Sequence, residues 1–115
     1  MSNAEDMLNI EETIEEHKRA VARKNALARL ENNPDFKTII TDGFLEKHAI
    51  RQVLLKSHPG LQNEAQQKMI DMQIIAIGGL KQFLISVFTA GLNAEESLTA
   101  DEATLEEMLK EDAER

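Results

Sequence analysis

The sequence predicts an all-α fold, and three observations carry that reading. Only two Pro and five Gly interrupt 115 residues. The alternation of apolar and polar residues that marks strands is missing. Large apolar residues instead recur three and four positions apart. The expected architecture is a small helical bundle with a long N-terminal helix, a helix-turn-helix middle, a long central helix and an acidic C-terminal helix. By residue, 1–32 is expected as a projecting charged helix, 33–92 as the helical core, and 93–115 as an acidic helix or tail. This length supports one domain.

The first helix is expected over 4–31, roughly 42 Å at 1.5 Å per residue. Its large apolar residues Met7, Ile10, Ile14, Val21, Leu27 and Leu30 make a thin stripe. One heptad position reads Met7, Ile14, Val21. The other reads Ile10, His17, Lys24, and its polar members leave a sustained coiled coil poorly supported. So long a helix with so little apolar surface is expected to project, or to lie on something else.

The middle begins at "ENNPDFKTIITDGF". Asn33 is the expected N-cap, and Pro34 fits the first turn, where its missing N–H costs nothing. Phe36, Ile39 and Ile40 are expected to face inward. "TDG" at 41–43 reads as a stop in which Gly43 takes a left-handed conformation, in preference to one continuous helix running through Gly43. A following helix carries Leu45, Ala49, Ile50, Val53 and Leu54 inward until "SHPG" ends it at 57–60.

Asn63 and Gln66 form a capping-box pattern, and Gly91 reads as a C-terminal stop, which places the central helix over 64–90. It contains "IIAIGGLKQFLISVFTAG" at 74–91. A membrane span needs about twenty predominantly apolar residues. Ten large apolar side chains gain roughly 3–6 kcal/mol on insertion, a central Lys81 costs about 3, and the Gln and Gly residues consume the rest. The stretch is therefore read as a core helix with two adjacent seams. Ile70, Ile74, Ile77, Leu84 and Phe88 form one; Met69, Met72, Ala76, Leu80, Phe83 and Val87 form the other. The helices at 34–57 can cover one seam, and the first helix or another subunit the second. Gly78 and Gly79 are expected to mark a close helix crossing, because glycine is otherwise unfavourable in a helix. Beyond Gly91, Thr99 and Glu102 form a second capping box that opens a helix with Leu105, Met108 and Leu109 on one face.

Charge separates the chain into blocks. Residues 1–16 hold six acids and no base, 17–30 five bases and no acid, and 94–115 nine acids against two bases. The net charge of -8 disfavours nucleic acid and anionic lipid as general partners. Cys is absent, which excludes disulfides, thiol nucleophiles and thiolate metal sites. Trp and Tyr are absent too, so the usual side chains for stacking on bases are missing. "MSNAEDMLNIEE" has early acids and no apolar core, so an intracellular product is expected rather than an exported one.

No catalytic, cofactor or metal site is expected. His17, His48 and His58 are scattered, without a His/Glu pair at metal-binding helical spacing. No phosphate-binding loop, dinucleotide fingerprint, EF-hand or Gly-x-Ser-x-Gly elbow occurs. His58 before Pro59 and Asp42 in "TDG" read as turn residues. Acid pairs such as Glu11/Glu15 and Glu102/Glu106 read as solvated faces. The candidate partner-binding residues are the bases Lys18, Arg19, Arg23, Lys24 and Arg29. They could pair with neighbouring acids, dock on an acidic protein surface or, least favoured, contact nucleic acid.

"NPDFKTIITDGFLEKHAIRQVLL", "AIGGLKQF", the charged first helix and the acidic tail together resemble small helical proteins of tailed bacteriophages that are encoded with virion-morphogenesis genes. The resemblance spans about residues 20–112 and rests on short motifs. It implies a non-enzymatic structural or assembly protein in multiple copies. Other virion proteins (capsid, portal or neck) and possibly a second copy would be its partners, in the virion and, during assembly, in the host cytoplasm. It transfers no catalytic residue. The alternative is a soluble acidic inhibitor that occupies a basic site on a host nucleic-acid enzyme.

Overall fold

A computed structural model describes residues 3–114. Positions 1, 2 and 115, the outer ends of the expected segments 1–32 and 93–115, lie outside the described residues. Helix occupies nearly all of the rest, and no strand occurs among the described residues, so the fold is all-α. Helix α1 is Asn3–Glu31. Helix α2 spans 34–56 and is built from a first turn Pro34–Phe36, a π-helical stretch Lys37–His48 and an α-helical end Ala49–Lys56. After a 3-10 turn at Pro59–Leu61, helix α3 runs unbroken from Glu64 to Ala113. These elements form two compact units. Residues up to Ala26 and from Val87 onward make the first; Leu27–Ser86 makes the second.

The first unit pairs α1 with the distal half of α3. As α1 advances through Asn3, His17 and Lys24, their partners retreat through Asp112, Asp101 and Glu95, so the helices run antiparallel. Covered positions on α1 repeat every seven residues, as Asn3, Ile10, His17, Lys24, as Asp6, Thr13, Ala20 and as Met7, Ile14, Val21. That is a heptad seam. Ile14, Ala20 and Ala94 are its buried apolar residues. The first helix therefore does not project within this unit. His17 and Lys24, which spoke against a coiled coil in the sequence, are themselves seam residues and are satisfied by acids of α3.

Gly91 is part of that seam rather than a stop. Its φ is not positive, and it is buried. A Cβ at this position would overlap the Cβ, Cγ and Cδ of Lys24. The second capping box is also overridden. Thr99 sits mid-helix, with its hydroxyl donating to the Glu95 carbonyl at 3.4 Å. No separate C-terminal helix forms, because nothing at 91–99 interrupts the α3 hydrogen bonding.

In the second unit the side-chain caps at Asn33 and Asn63 and the turn at His58 behave as expected. The Asn33 side chain accepts from the N–H groups of Asp35 and Phe36 at 2.9 and 3.1 Å. Asn63 accepts from Gln66 N–H at 2.8 Å, and its amide donates back to the Gln66 side chain. His58 is a turn residue: its Nδ1 accepts from Gly60 N–H at 3.0 Å. The α2 end is closed by Gln62 and Gln67, whose side-chain amides both donate to the Lys56 carbonyl. This satisfies a carbonyl that a helix end otherwise leaves orphaned.

The "TDG" stop does not form. Gly43 lies inside the π-helical stretch with negative φ, and an added Cβ would stand 2.7 Å from the Thr38 carbonyl oxygen five residues back. Hydrogen bonding over five residues shifts the side-chain rows away from α-helical phase. The face that follows is accordingly not the expected one. Phe36, Ile40, Leu45 and Ala49 are half-buried, but Ile39, Ile50, Val53 and Leu54 are exposed, and Gln52 is buried in their place. The first α3 seam is partly covered here, with Ile70 and Ile77 buried and Ile74 and Leu84 half-buried. On the second, Met69, Met72, Ala76 and Phe83 are exposed. Among the described residues no close crossing lies at Gly78 or Gly79, where an added Cβ would meet nothing within 4 Å.

Three glycine substitutions separate these roles in chemical denaturation. Gly91→Ala should cost about 1–3 kcal/mol by overpacking the seam, and Gly43→Ala about as much against the Thr38 carbonyl. Gly78→Ala should instead stabilise by about 0.5–1 kcal/mol, the ordinary helical preference for Ala.

Candidate partner-binding surface

The five bases proposed from sequence do not make one site. Lys24 turns into the α1–α3 seam, where its ammonium pairs with Glu95 and lies 5.9 Å from the centre of the Phe88 ring. Lys18 is exposed and reaches Glu15 at 3.5 Å, one turn back on its own helix. Arg19 and Arg23 are exposed on α1, four residues apart on one face. Arg29 is exposed as well but belongs to the second unit. Two arginines therefore remain as a local outward-facing basic pair.

The three histidines lie in three separate settings. His17 Nδ1 is 3.1 Å from Asp101 Oδ2, with both side chains under a third exposed. His48 stacks on Phe44 with ring centroids 5.6 Å apart. His58 caps its turn. Among the described residues, no group of three His, Asp or Glu side chains is arranged to hold a metal ion. A depression lined by Ala103, Glu106, Glu107 and Lys110 is open to solvent. It offers no enclosed volume for chemistry.

The more pronounced feature is apolar and lies in the second unit. Ile50, Val53 and Leu54 share one exposed face of the α-helical end of α2, since residues three and four apart are neighbours. On α3, Met69, Met72, Ala76, Gly79 and Phe83 fall on one exposed stripe, with Ile75 at its edge. By length and composition α3 is apolar enough to cross a membrane, with a mean hydropathy of 1.6 over eighteen residues. Only 11% of that stretch is buried. A core helix of a soluble protein would be mostly covered. Searches of protein families, curated proteins and solved structures found no match for this chain.

The apolar spacing marks the 64–90 part of α3 and both of its seams, but not its continuation to Ala113, and it places α2 residues 50, 53 and 54 in the core. The missed signal was Gln52, which takes the inward position on that turn. His17 reads as one of three scattered histidines, although its heptad position marks it for a partner across the seam, Asp101.

A double-mutant cycle on His17→Ala and Asp101→Ala should give a coupling of about 0.5–1.5 kcal/mol in unfolding experiments. The same cycle on Lys56 and Asp71, whose side chains are each 47% exposed, should give no more than a few tenths.

Proposed function

We propose that this chain is a non-enzymatic structural or assembly protein of a tailed-phage particle, associated with its head or portal and acting in several copies. The observation that carries this reading is the uncovered apolar surface of residues 50–54 and 69–83. Large apolar patches of this kind mark interaction sites rather than solvated surface. Covering one such side chain contributes about 1.5–3 kcal/mol gross, so a handful are enough to hold a partner. Among the polar groups, His17, Lys24, Asn33, His58 and Asn63 serve the chain's own folding, through the seam, the caps and the turn. Capsid, portal or neck proteins and further copies are the proposed partners, in the virion and in the host cytoplasm during assembly.

An inhibitor that mimics nucleic acid would need its acids turned outward as an array. Asp101, Glu95 and Asp112 meet α1 while Glu96, Glu102, Glu106 and Glu107 face solvent; what favours assembly over inhibition is the uncovered apolar surface, which a basic site would not use. Mass spectrometry of purified particles, and of head intermediates, from the phage that encodes the chain tests the proposal. The expected result is the chain at a fixed multiple of the portal protein. Absence from both fractions, with co-purification on a host nucleic-acid enzyme, would contradict it.

A further inference from the structure

The α3 stripe has the chemistry and spacing of a surface that pairs with itself. Its inner positions fall into two heptad rows, Met72, Gly79, Ser86 and Met69, Ala76, Phe83, with no charged residue in either. Lys81 lies on the opposite side of the helix from this stripe, by its position at 100° per residue. Asp71 is already engaged with Lys56.

We infer that a second copy of this chain covers the stripe, with the two α3 helices antiparallel across a two-fold axis midway between Ile77 and Gly78. In an isologous contact, residue i meets j and j meets i. Here the positions of a pair sum to 155, so Met72 meets Phe83, Met69 meets Ser86 and Ala76 meets Gly79. The two rows then alternate in every layer, as antiparallel heptad pairing requires. The small residues fall next to the axis, where backbones come closest, and the large ones flank them. Any register that brought Lys68 onto the central layers would bury like charges; this one keeps it at the edge.

The area suffices. Met69, Met72, Ile75 and Phe83 are 61–72% exposed. At roughly 200 Å² for a large side chain, they offer about 500 Å² per copy and about 1,000 Å² per pair. That reaches the lower bound of about 1,000 Å² for a specific interface before Ala76, Gly79 and Ser86 are added. A bilayer explains the composition less well, because the same stretch exposes Gln73, Lys81 and Gln82 around its circumference. Gly79 acquires a role here that nothing among the described residues gives it.

The pairing deepens the multi-copy element of the proposed assembly role and rests on that element alone. Sedimentation equilibrium on the full chain should give a dimer. Gly79→Leu, which meets open space within one chain, should convert it to a monomer of undiminished helical circular dichroism. Gly78→Ala should leave the dimer intact. The chain has no Cys, so single-cysteine variants report the register cleanly. Ala76→Cys, offset from its symmetry mate by about 4.5 Å along the axis, should be captured by a short bis-maleimide; Met69→Cys, offset by about 26 Å, should not. A monomer at high concentration, a dimer that Gly79→Leu leaves unchanged, capture of both cysteines, or flotation of the chain with phosphatidylcholine vesicles would each overturn the pairing. A dimer from a chain absent from particles would keep the pairing and remove the assembly role. A monomer present in particles would do the reverse.

Discussion

Lys24 lying across Gly91 is the contact on which the first unit depends. The two helices can approach there because position 91 carries no side chain, and the Lys24 stem fills the space that a Cβ would need. Its charged end then reaches Glu95 beside the Phe88 ring. A long side chain is thus used twice, its methylenes as packing and its ammonium as a pairing group. His17 with Asp101 repeats the device one heptad earlier on α1. Slipping α1 by a turn would separate both pairs, so polar seam residues fix register at some expense of stability.

That seam occupies α3 only beyond Val87. The preceding residues of the same helix belong to the second unit, where one face is covered and the other is not. A helix takes most of its stability from packing rather than from intrinsic propensity. The uncovered stripe therefore combines the continuity of α3 with exposed apolar surface. The exposed apolar turn of α2 has a related origin. Twelve residues of π-helical winding change the phase of everything after His48, so that Gln52 is turned inward and Ile50, Val53 and Leu54 outward.

Much of this was legible in the sequence wherever the interaction is local. Asn33, His58 and Asn63 signalled their turns because each bonds within three residues. Glycine was the poorest guide. Gly43 and Gly91 both resemble stops, yet one is demanded by π-helical winding and the other by a lysine 67 residues away in the chain. Neither cause leaves a mark in the neighbouring residues. His17 and Lys24 looked like flaws in an apolar heptad, because their acids lie 84 and 71 residues further on. Of the candidate bases, Lys24 proved structural, and only Arg19 and Arg23 stay together on an outer face. The apolar surface itself was visible as two seams, but which one the chain covers depends on tertiary packing.

The proposed pairing covers the 69–83 stripe of α3 with a second copy of the chain. Amide hydrogen exchange across a concentration series of the purified chain tests it most directly, because association adds protection only to the segments it stabilises. Exchange should slow with concentration at 69–83 and stay constant at 10–24 and 91–105. Equal protection of all three segments at every concentration, with no binding of an apolar dye, would contradict the account.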